Sequence, residues 1–423
     1  MLDVPPGEPR WASWGYVALG SLVIFLTVPF ARALQSLLAE HAGRTFVFYI
    51  VGIAALVGAA LAVRSLRRRC VGATAYAWIT AVVAAFAWYA YILRDNPEET
   101  IHFVEYGLLS LLVFRALVHQ MRDVTIYFAG VLVIGIIGII DEWIQWIVPS
   151  RYWDLRDVQI NLVAGALTQI AIATGLRPRL VSGWPSAVNI ARLSVIGVMM
   201  LFLLGLSYAN TPQRIALYAS RVPLLSFLLS SKSMMVEYGY LYDDPDIGVF
   251  RSRFTLEELE LNDAKRGEEL AQAFDIYIND ARFGEFQEVY SVPRDAYIHE
   301  AGIHLFRRNR YLEIATQEER RRFLHYNIAH RENQILEKYF PTGLNLSSHV
   351  WTDATKSTVA YLADKEPKYE SRVSRDLITR ASESQVLMSF GAGILILLGV
   401  AAFCYRRRDE LNSGQAQTTG DNT

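Results

Sequence analysis

The stretch DEWIQWIVPSRYWDLRDVQINLVAG, residues 141–165, is a polar interruption between two long apolar runs. The first run covers residues 124–140 and leads directly into it, and the second begins at Val158. Runs of this length predict two membrane-spanning helices that reach the same membrane face. Pro149 and Ser150 predict the short turn between them, so the polar residues should lie at one end of a helix hairpin.

Helical spacing groups the polar side chains of this stretch. Asp141 and Gln145 are four residues apart, as are Asp157 and Asn161, so each pair should share one face of its helix. Gly165 continues the second stripe and should let a neighbouring helix come close. Because ionisable groups at membrane depth are costly, such residues usually pair with each other or line a wet cavity.

The preceding apolar run begins with another polar group. His102, Glu105 and Tyr106 are spaced by three and four residues, so they should share one helix face. If successive spans alternate in direction, this group lies at the same membrane face as the turn after Val148. We therefore expect six side chains to converge there: His102, Glu105, Glu142, Arg151, Asp157 and Asn161.

Two blocks of this sequence resemble the VanZ-like family of bacterial membrane proteins. The first block comprises Glu142, Gln145, Pro149, Arg151, Asp157, Asn161 and Gly165, and the second comprises His102, Phe103, Glu105 and Tyr106. The resemblance covers about residues 101–176, and it departs from the family pattern at residues 98–100, where Glu-Glu-Thr replaces the usual basic residue. It implies a cell-envelope protein of a family tied to glycopeptide (teicoplanin) resistance, for which no reaction is settled.

The composition agrees with a membrane protein. Of the 423 residues 52% are hydrophobic, and the mean hydropathy is +0.20, which is high for a soluble domain. The net charge of −1 gives no reason to expect a nucleic-acid partner. The two cysteines, Cys70 and Cys404, are too few for a disulfide framework.

We expect an all-α fold with about eight membrane-spanning helices and a mainly helical extracytoplasmic domain. The candidate spans are roughly residues 16–30, 46–63, 73–93, 103–118, 124–148, 158–176, 193–208 and 386–405. These spans predict a membrane domain of seven helices at residues 1–209, an extracytoplasmic domain at 210–384, an eighth helix at 385–408 and a disordered cytoplasmic tail at 409–423.

The arginines predict the orientation, because cytoplasmic loops are enriched in Lys and Arg. Four arginine clusters fall on one side if eight helices alternate: Arg64, Arg67, Arg68 and Arg69; Arg115 and Arg122; Arg177, Arg179 and Arg192; and Arg406, Arg407 and Arg408. That side should be the cytoplasm, with both termini inside a bacterial inner membrane. The polar helix ends and residues 210–384 should then lie on the opposite side.

The predicted extracytoplasmic domain carries helix signals. Thr255 with Glu258 and Thr316 with Glu319 each match a capping box that should begin a helix. From about Ser374 the chain should run as one helix into the last span.

Other segments of this domain are predicted to be unremarkable chemically. The segment YDDPDIG at residues 242–248 predicts a turn, and RRNRY at residues 307–311 predicts a solvated helix face. Leu224 begins an apolar segment that is too short to cross a membrane, which favours an interfacial or core helix. Five histidines lie here without the spacing of a zinc motif: His299, His304, His325, His330 and His349. We expect neither a metal site nor a cofactor.

Two classes of function stay open. In the first, the predicted cluster binds, or binds and chemically modifies, a membrane lipid or a lipid-linked or amphiphilic envelope component, with Arg151 holding an anionic group. The candidate catalytic residues are His102, Glu105, Glu142 and Asp157, and the candidate ligand-binding residues are Arg151, Gln145, Asn161, Tyr106 and Asp141. In the second, the protein is a non-catalytic scaffold or sensor whose extracytoplasmic domain binds a protein partner. A transporter is disfavoured, because the polar groups gather at one end of the helices.

The same residues have structural interpretations. Asp157 and His102 are candidates for helix caps. Glu142 and Arg151 are candidates for an ion pair that fixes the hairpin, and Tyr106 for an aromatic residue of the membrane interface.

Overall fold

The computed structural model describes residues 8–27, 46–69, 72–148, 151–176, 180–230, 235–363 and 369–420. The part of the chain that the structure describes is about 75% helical, with almost no sheet. The chain divides into two compact units, one formed by Met1–Leu206 with Met388–Thr423 and the other by Ser207–Leu387. Predictions for Pro149, Cys70, Arg177 and Arg179 lie outside the described residues.

The first unit is built from long apolar helices, and we call it the membrane unit. Its helices are α1 (Arg10–Thr27), α2 (Phe46–Arg69), α3 (Ala73–Ile92), α4 (Pro97–Leu117), α5 (Thr125–Ile147), α6 (Leu155–Ile170), α7 (Ala187–Ala209) and α15 (Glu383–Gly420), although the division between the units falls within the last two. Helix α6 continues as a π-helical turn at Ala171–Leu176. Asp154 caps α6 by accepting a hydrogen bond from the Arg156 N–H, so the expected cap at Asp157 is wrong.

Among the described residues, six helices are long and apolar enough to cross a membrane. They are Ala73–Ile92, Glu99–Leu117, Thr125–Ile147, Leu155–Leu176, Ala187–Ala209 and Glu383–Arg407. Arg10–Leu26 is a shorter apolar helix, and α2 covers the second predicted span without being among the six. These helices mark the chain as a membrane protein.

Helix α4 lies at the centre of the membrane unit, where it packs against α1, α5 and α6. Phe103, Tyr106 and Phe114 of this helix are fully buried. A Cβ atom at Gly165 of α6 would lie 2.8 Å from Cγ2 of Ile134 in α5. The predicted close approach at this glycine is therefore confirmed, and it brings the polar faces of α5 and α6 together.

The second unit is mainly helical with one hairpin. It contains α8 (Pro212–Ala219), a 3-10 helix at Pro223–Leu229, strands β1 (Tyr240–Asp244) and β2 (Gly248–Ser252), and helices α9 (Leu256–Tyr277), α10 (Phe283–Val289), α11 (Ala296–Gln317), α12 (Arg322–Tyr339), α13 (Pro341–Leu346) and α14 (Asp353–Leu362). The strands pair antiparallel, with Tyr242 opposite Phe250. The segment YDDPDIG thus supplies the end of a strand as well as the predicted turn.

The two predicted capping boxes have different outcomes. Thr255 accepts a hydrogen bond from the Glu258 N–H while the Glu258 carboxylate accepts one from the Thr255 N–H, so this box is confirmed. The second box is wrong, because α11 continues through Thr316 to Gln317 and α12 starts only at Arg322. The Thr316 hydroxyl instead donates to the Glu313 carbonyl within α11, which is the competing use of a threonine hydroxyl inside a helix.

Both ends of the last helix differ from expectation. Helix α15 begins at Glu383 rather than near Ser374, because Ile378 forms an extended bridge with Tyr238 first. The helix then continues to Gly420, where the sequence predicted a disordered tail from Asp409. A helix that is already nucleated in a span needs only propagation to extend further, which costs less than forming a new one.

Candidate functional site

The ends of α4, α5 and α6 bring together the polar side chains that the sequence singled out. We call this group the polar cluster, and it comprises Glu99, His102, Glu105, Tyr106, Asp141, Glu142, Gln145, Arg151, Asp154, Arg156, Asp157 and Asn161. The first four lie on α4, the next three end α5, Arg151 and Asp154 lie between the helices, and the last three lie in the first two turns of α6. The residues of α5 and α6 lie at the same end of the hairpin, because a short segment joins the end of α5 to the start of α6.

Tyr106 joins α4 to α5 inside the polar cluster. Its hydroxyl donates a hydrogen bond to Asp141 Oδ2 at 3.1 Å, and both residues are at most 1% exposed. The imidazole of His102 lies 6.5 Å from the Tyr106 ring, centroid to centroid. Tyr106 is therefore a buried hydrogen-bond donor, and its interpretation as an aromatic residue of the membrane interface is wrong.

Glu142 fixes the segment that connects α5 to α6. Its carboxylate accepts one hydrogen bond from Gln145 Nε2 at 2.7 Å and another from the Asp154 N–H at 3.0 Å. Arg151 Nη2 in turn donates to Gln145 Oε1 at 2.5 Å. This chain of bonds gives Glu142 a positioning role, because both carboxylate oxygens already accept a donor.

Five buried side-chain atoms of the polar cluster make no hydrogen bond among the described residues, although two of them, His102 Nδ1 and Glu105 Oε2, lie 3.4 Å from each other. They are Glu99 Oε2, His102 Nδ1, Glu105 Oε2, Asp141 Oδ1 and Asn161 Oδ1. Asp141 and Asn161 are only 1% and 2% exposed. Since a buried polar atom without a partner typically costs about 1–3 kcal/mol, so many at one place are unusual in a purely structural arrangement.

His102 and Glu105 form the more open side of the polar cluster. His102 Nδ1 lies 3.4 Å from Glu105 Oε2, a contact that becomes an ion pair when the imidazole is protonated. Their side chains are 15% and 29% exposed, against almost complete burial of Asp141. His102 sits one and a half turns inside α4, which starts at Pro97, so its expected role as a cap is wrong.

Asn161 faces α5 close to the carboxylates. A Cβ atom built on Gly138 of α5 would lie 3.2 Å from Asn161 Nδ2, and Gly138 is one turn before Asp141. Asp157, four residues before Asn161, is close enough to His102 and Glu99 to interact with both electrostatically. The stripe on α6 that the spacing predicted thus points into the polar cluster.

Glu99 and Arg156 form a rim that the sequence analysis missed. Arg156 Nη1 donates to Glu99 Oε1 at 2.9 Å, and Asn96 Nδ2 donates to the same oxygen at 2.7 Å. The available signal was spacing, because Glu99 precedes His102 by three residues and so shares its helix face.

A second polar layer lies deeper between α4 and α6. Gln169 Nε2 donates to the hydroxyl and the carbonyl of Ser110 at 2.9 and 3.1 Å, and Thr168 donates to the Gly107 carbonyl at 3.3 Å. These residues were not predicted, because a single serine or glutamine in an apolar run carries little signal. Beyond them the helices are apolar again, with Phe114 and Ile172 fully buried.

The opposite ends of these helices carry a polar network as well, contrary to the expectation from the sequence. Asp123 accepts hydrogen bonds from Thr125, from the Ser186 N–H and from Asn189 Nδ2. Burial raises the pKa of Asp123, but these bonds outweigh it and hold the pKa below its ordinary value. Because Asp123 accepts a hydrogen bond from each of these donors, we interpret the network as a structural connection between the starts of α5 and α7.

The second unit contains a buried carboxylate, Glu332, whose two oxygens are matched by four donors. Glu332 accepts hydrogen bonds at 2.5–2.8 Å from His304, Arg307, Tyr369 and Ser371. Burial raises the pKa of Glu332, but its interactions with His304, Tyr369 and Arg307 lower it below its ordinary value.

Arg308 corrects the prediction of a solvated face at residues 307–311. It is 1% exposed, donates to Asn309, Asn333 and the His349 carbonyl, and lies over the Trp351 ring. Burial lowers its pKa to about 9. Within the described part of the chain, no group of three or more His, Cys, Asp or Glu side chains is arranged to hold a metal ion.

No family model, curated protein or solved structure matches this chain.

Proposed function

We propose that this protein is a VanZ-like membrane protein of a bacterial cell envelope whose polar cluster binds the headgroup of a lipid-linked or amphiphilic envelope component. One observation carries the proposal, namely the three buried oxygens where three helix ends meet, Glu99 Oε2, Asp141 Oδ1 and Asn161 Oδ1, that have no hydrogen-bond partner among the described residues. The resemblance at residues 101–176 supports it, because its two blocks supply most of the same residues.

The unmatched oxygens need hydrogen-bond donors that the described residues do not supply. A buried acceptor such as Asn161 Oδ1 recovers its lost hydration only from a bound donor, whether water or a ligand group. An amphiphile suits a site at the end of membrane-spanning helices, because its chains stay in the lipid while its headgroup reaches the helix ends. A sensitivity to glycopeptides would follow if the bound component influences how those antibiotics reach the envelope.

The roles of individual residues differ from those suggested by their types alone. Glu142, Gln145 and Arg151 hold the connecting segment, so they position the site. His102 with Glu105 is the partly exposed pair, and it would exchange protons if the ligand is also modified. Asp141 and Asn161 would bind the headgroup from the buried side.

The proposal includes a topology. Eight spans with both termini in the cytoplasm place the arginine clusters inside, as the charge rule favours. The polar cluster and residues 210–384 then lie outside, where an outer-leaflet or lipid-linked component is accessible.

A non-catalytic scaffold or sensor remains the second candidate. The bonds among Glu142, Gln145, Arg151 and Asp154 favour it, because they form a lock that needs no ligand. In this case the second unit would bind a protein partner and the polar cluster would only stabilise the hairpin.

Retention of lipid by the purified protein separates the two candidates. The variant Asp141→Asn/Asn161→Leu removes one charge and the buried amide, and Gln159→Leu is the matched control, since Gln159 is exposed on the same helix. After exchange into fresh detergent, mass spectrometry should find a bound amphiphile on the wild type and the control but not on the double variant. Equal retention by all three proteins would contradict the proposal and favour the scaffold.

A further inference from the structure

We infer that the headgroup bound at the polar cluster carries a protonated primary amine, an inference that rests on the proposed function. The sequence had suggested an anionic group held by Arg151. The geometry favours a cationic group instead, and three features support this: the type of the unmatched hydrogen-bonding atoms, the charge of the polar cluster and the access to it.

Hydrogen-bond type is the first reason. Among the unmatched buried atoms, His102 Nδ1 and Glu105 Oε2 face each other at 3.4 Å, and the other three are oxygen acceptors: Glu99 Oε2, Asp141 Oδ1 and Asn161 Oδ1. An anionic headgroup offers mainly acceptors and would leave them unmatched. A primary ammonium offers three N–H donors and no acceptor, which is the complementary pattern.

Asn161 provides evidence independent of the carboxylates. Its side chain is neutral, 2% exposed and placed against Gly138, one turn before Asp141. Its unmatched Oδ1 cannot be explained by charge repulsion or by a missing counter-ion. Together with Asp141 Oδ1 it marks the buried end of the site as a place for a donor.

Charge is the second reason. The polar cluster contains six carboxyl groups against two guanidinium groups and one imidazole: Glu99, Glu105, Asp141, Glu142, Asp154 and Asp157 against Arg151, Arg156 and His102. Arg156 is bound to Glu99 at the rim, and Arg151 donates to Gln145. Acidic side chains thus outnumber basic ones at this site, which favours a cationic group over an anionic one.

Access is the third reason. Exposure falls from Glu105 and His102, at 29% and 15%, to Asp141 at 1%. An ammonium group entering beside Glu105 would therefore meet carboxylate oxygen first and then the buried oxygens of Asp141 and Asn161. Tyr106 holds the other oxygen of Asp141 and so orients the one that remains.

Native mass spectrometry of the full-length protein tests this preference. Three lipids with identical acyl chains are titrated: phosphatidylethanolamine, phosphatidylcholine and phosphatidylglycerol. All three contain the phosphate, so only the end of the headgroup differs. Phosphatidylethanolamine ends in a primary ammonium and phosphatidylcholine in a quaternary ammonium without N–H donors. Phosphatidylglycerol ends in an uncharged glycerol, so the lipid is a net anion. We expect wild type to bind phosphatidylethanolamine about tenfold more tightly than the other two, as hydrogen bonds between charged groups allow.

The variants Asp141→Asn and Asn161→Leu should each reduce that ratio to about twofold or less, and Gln159→Leu should keep it. Folding is checked by the elution profile and melting temperature of each variant. If phosphatidylglycerol binds most tightly, or if phosphatidylcholine equals phosphatidylethanolamine, and the variants abolish this binding, the amine inference is overturned while the proposed function stands. If no lipid distinguishes the wild type from the variants, both fail.

Discussion

Individual residues of the polar cluster divide by whether their polar atoms are matched. Glu142 has a donor on each oxygen and serves the connecting segment, whereas Asp141 and Asn161 each keep one buried oxygen without a partner. Residue type alone would have ranked Glu142 and Asp141 equally as site residues. The hydrogen bonds separate a positioning role from a binding role.

The arginines beside the turn offer a direct test of this division. Arg151→Ala removes the donor to Gln145 and should lower the stability of the membrane unit by about 1 kcal/mol, or somewhat less in a membrane. Arg156→Ala is the control, because its 52% exposed side chain pairs with Glu99 at the rim and such pairs contribute little. Thermal unfolding in detergent measures both, and an equal loss in the two variants would contradict the positioning role.

His299 predicts a dependence of stability on pH. Burial and the nearby Arg253 charge lower its pKa to about 4, against 6.5 ordinarily. Between these values the unfolded chain binds the proton more readily, so stability is full above about pH 6.5 and falls as the pH drops toward 4, by roughly 3 kcal/mol at most. His299→Gln should make the free energy of unfolding depend less on pH between 4 and 6.5 than it does in the wild type. Denaturant unfolding of the second unit at several pH values measures this dependence. The same dependence in both proteins would show that His299 does not cause it.

At the scale of elements, short sequence signals predict helix ends and helix contacts, and some of these predictions are wrong. The capping box at Thr255 forms, while the same pattern at Thr316 lies inside α11. Both threonines match the capping-box pattern equally well. The pattern therefore does not determine whether a helix starts at Thr316, and the packing of α11 does. Gly165, in contrast, was predictable because only a glycine leaves room for Ile134 at that distance.

Replacing the two threonines by alanine checks this difference. Thr255→Ala should cost about 1 kcal/mol, because the first turn of α9 loses its acceptor. Thr316→Ala should cost less than about 0.5 kcal/mol, since the hydroxyl only bonds back to the Glu313 carbonyl within the helix. Equal losses in chemical denaturation would show that the cap adds nothing specific.

The sequence anticipated the meeting of α4, α5 and α6 better than the contacts inside it. Periodicity and apolar length define which face of each helix is polar, and so they bring Tyr106 near Asp141. They cannot say that Arg151 bonds to Gln145, that Arg156 reaches Glu99, or that Arg308 is buried over Trp351. These contacts depend on side-chain directions and on distant segments, which spacing along one helix does not encode.

At the scale of the whole molecule, the chain combines a membrane unit with a mainly helical second unit. The proposed eight-span topology makes a prediction about the side of the membrane on which residues 210–384 lie. Alkaline phosphatase fused after Glu300 should be active, and the same fusion after Arg408 should be inactive, because the arginine clusters favour the cytoplasmic side. The reverse pattern of activity would overturn the topology and with it the access of an outer-leaflet ligand.

The most direct test of the central claim is a high-resolution cryo-electron microscopy map of the protein extracted with its native lipids in polymer nanodiscs. The account predicts density of an amphiphile whose headgroup lies within hydrogen-bond distance of Asp141 Oδ1 and Asn161 Oδ1. A map of the same quality in which only ordered water, or another side chain of the protein, reaches these two oxygens would contradict it.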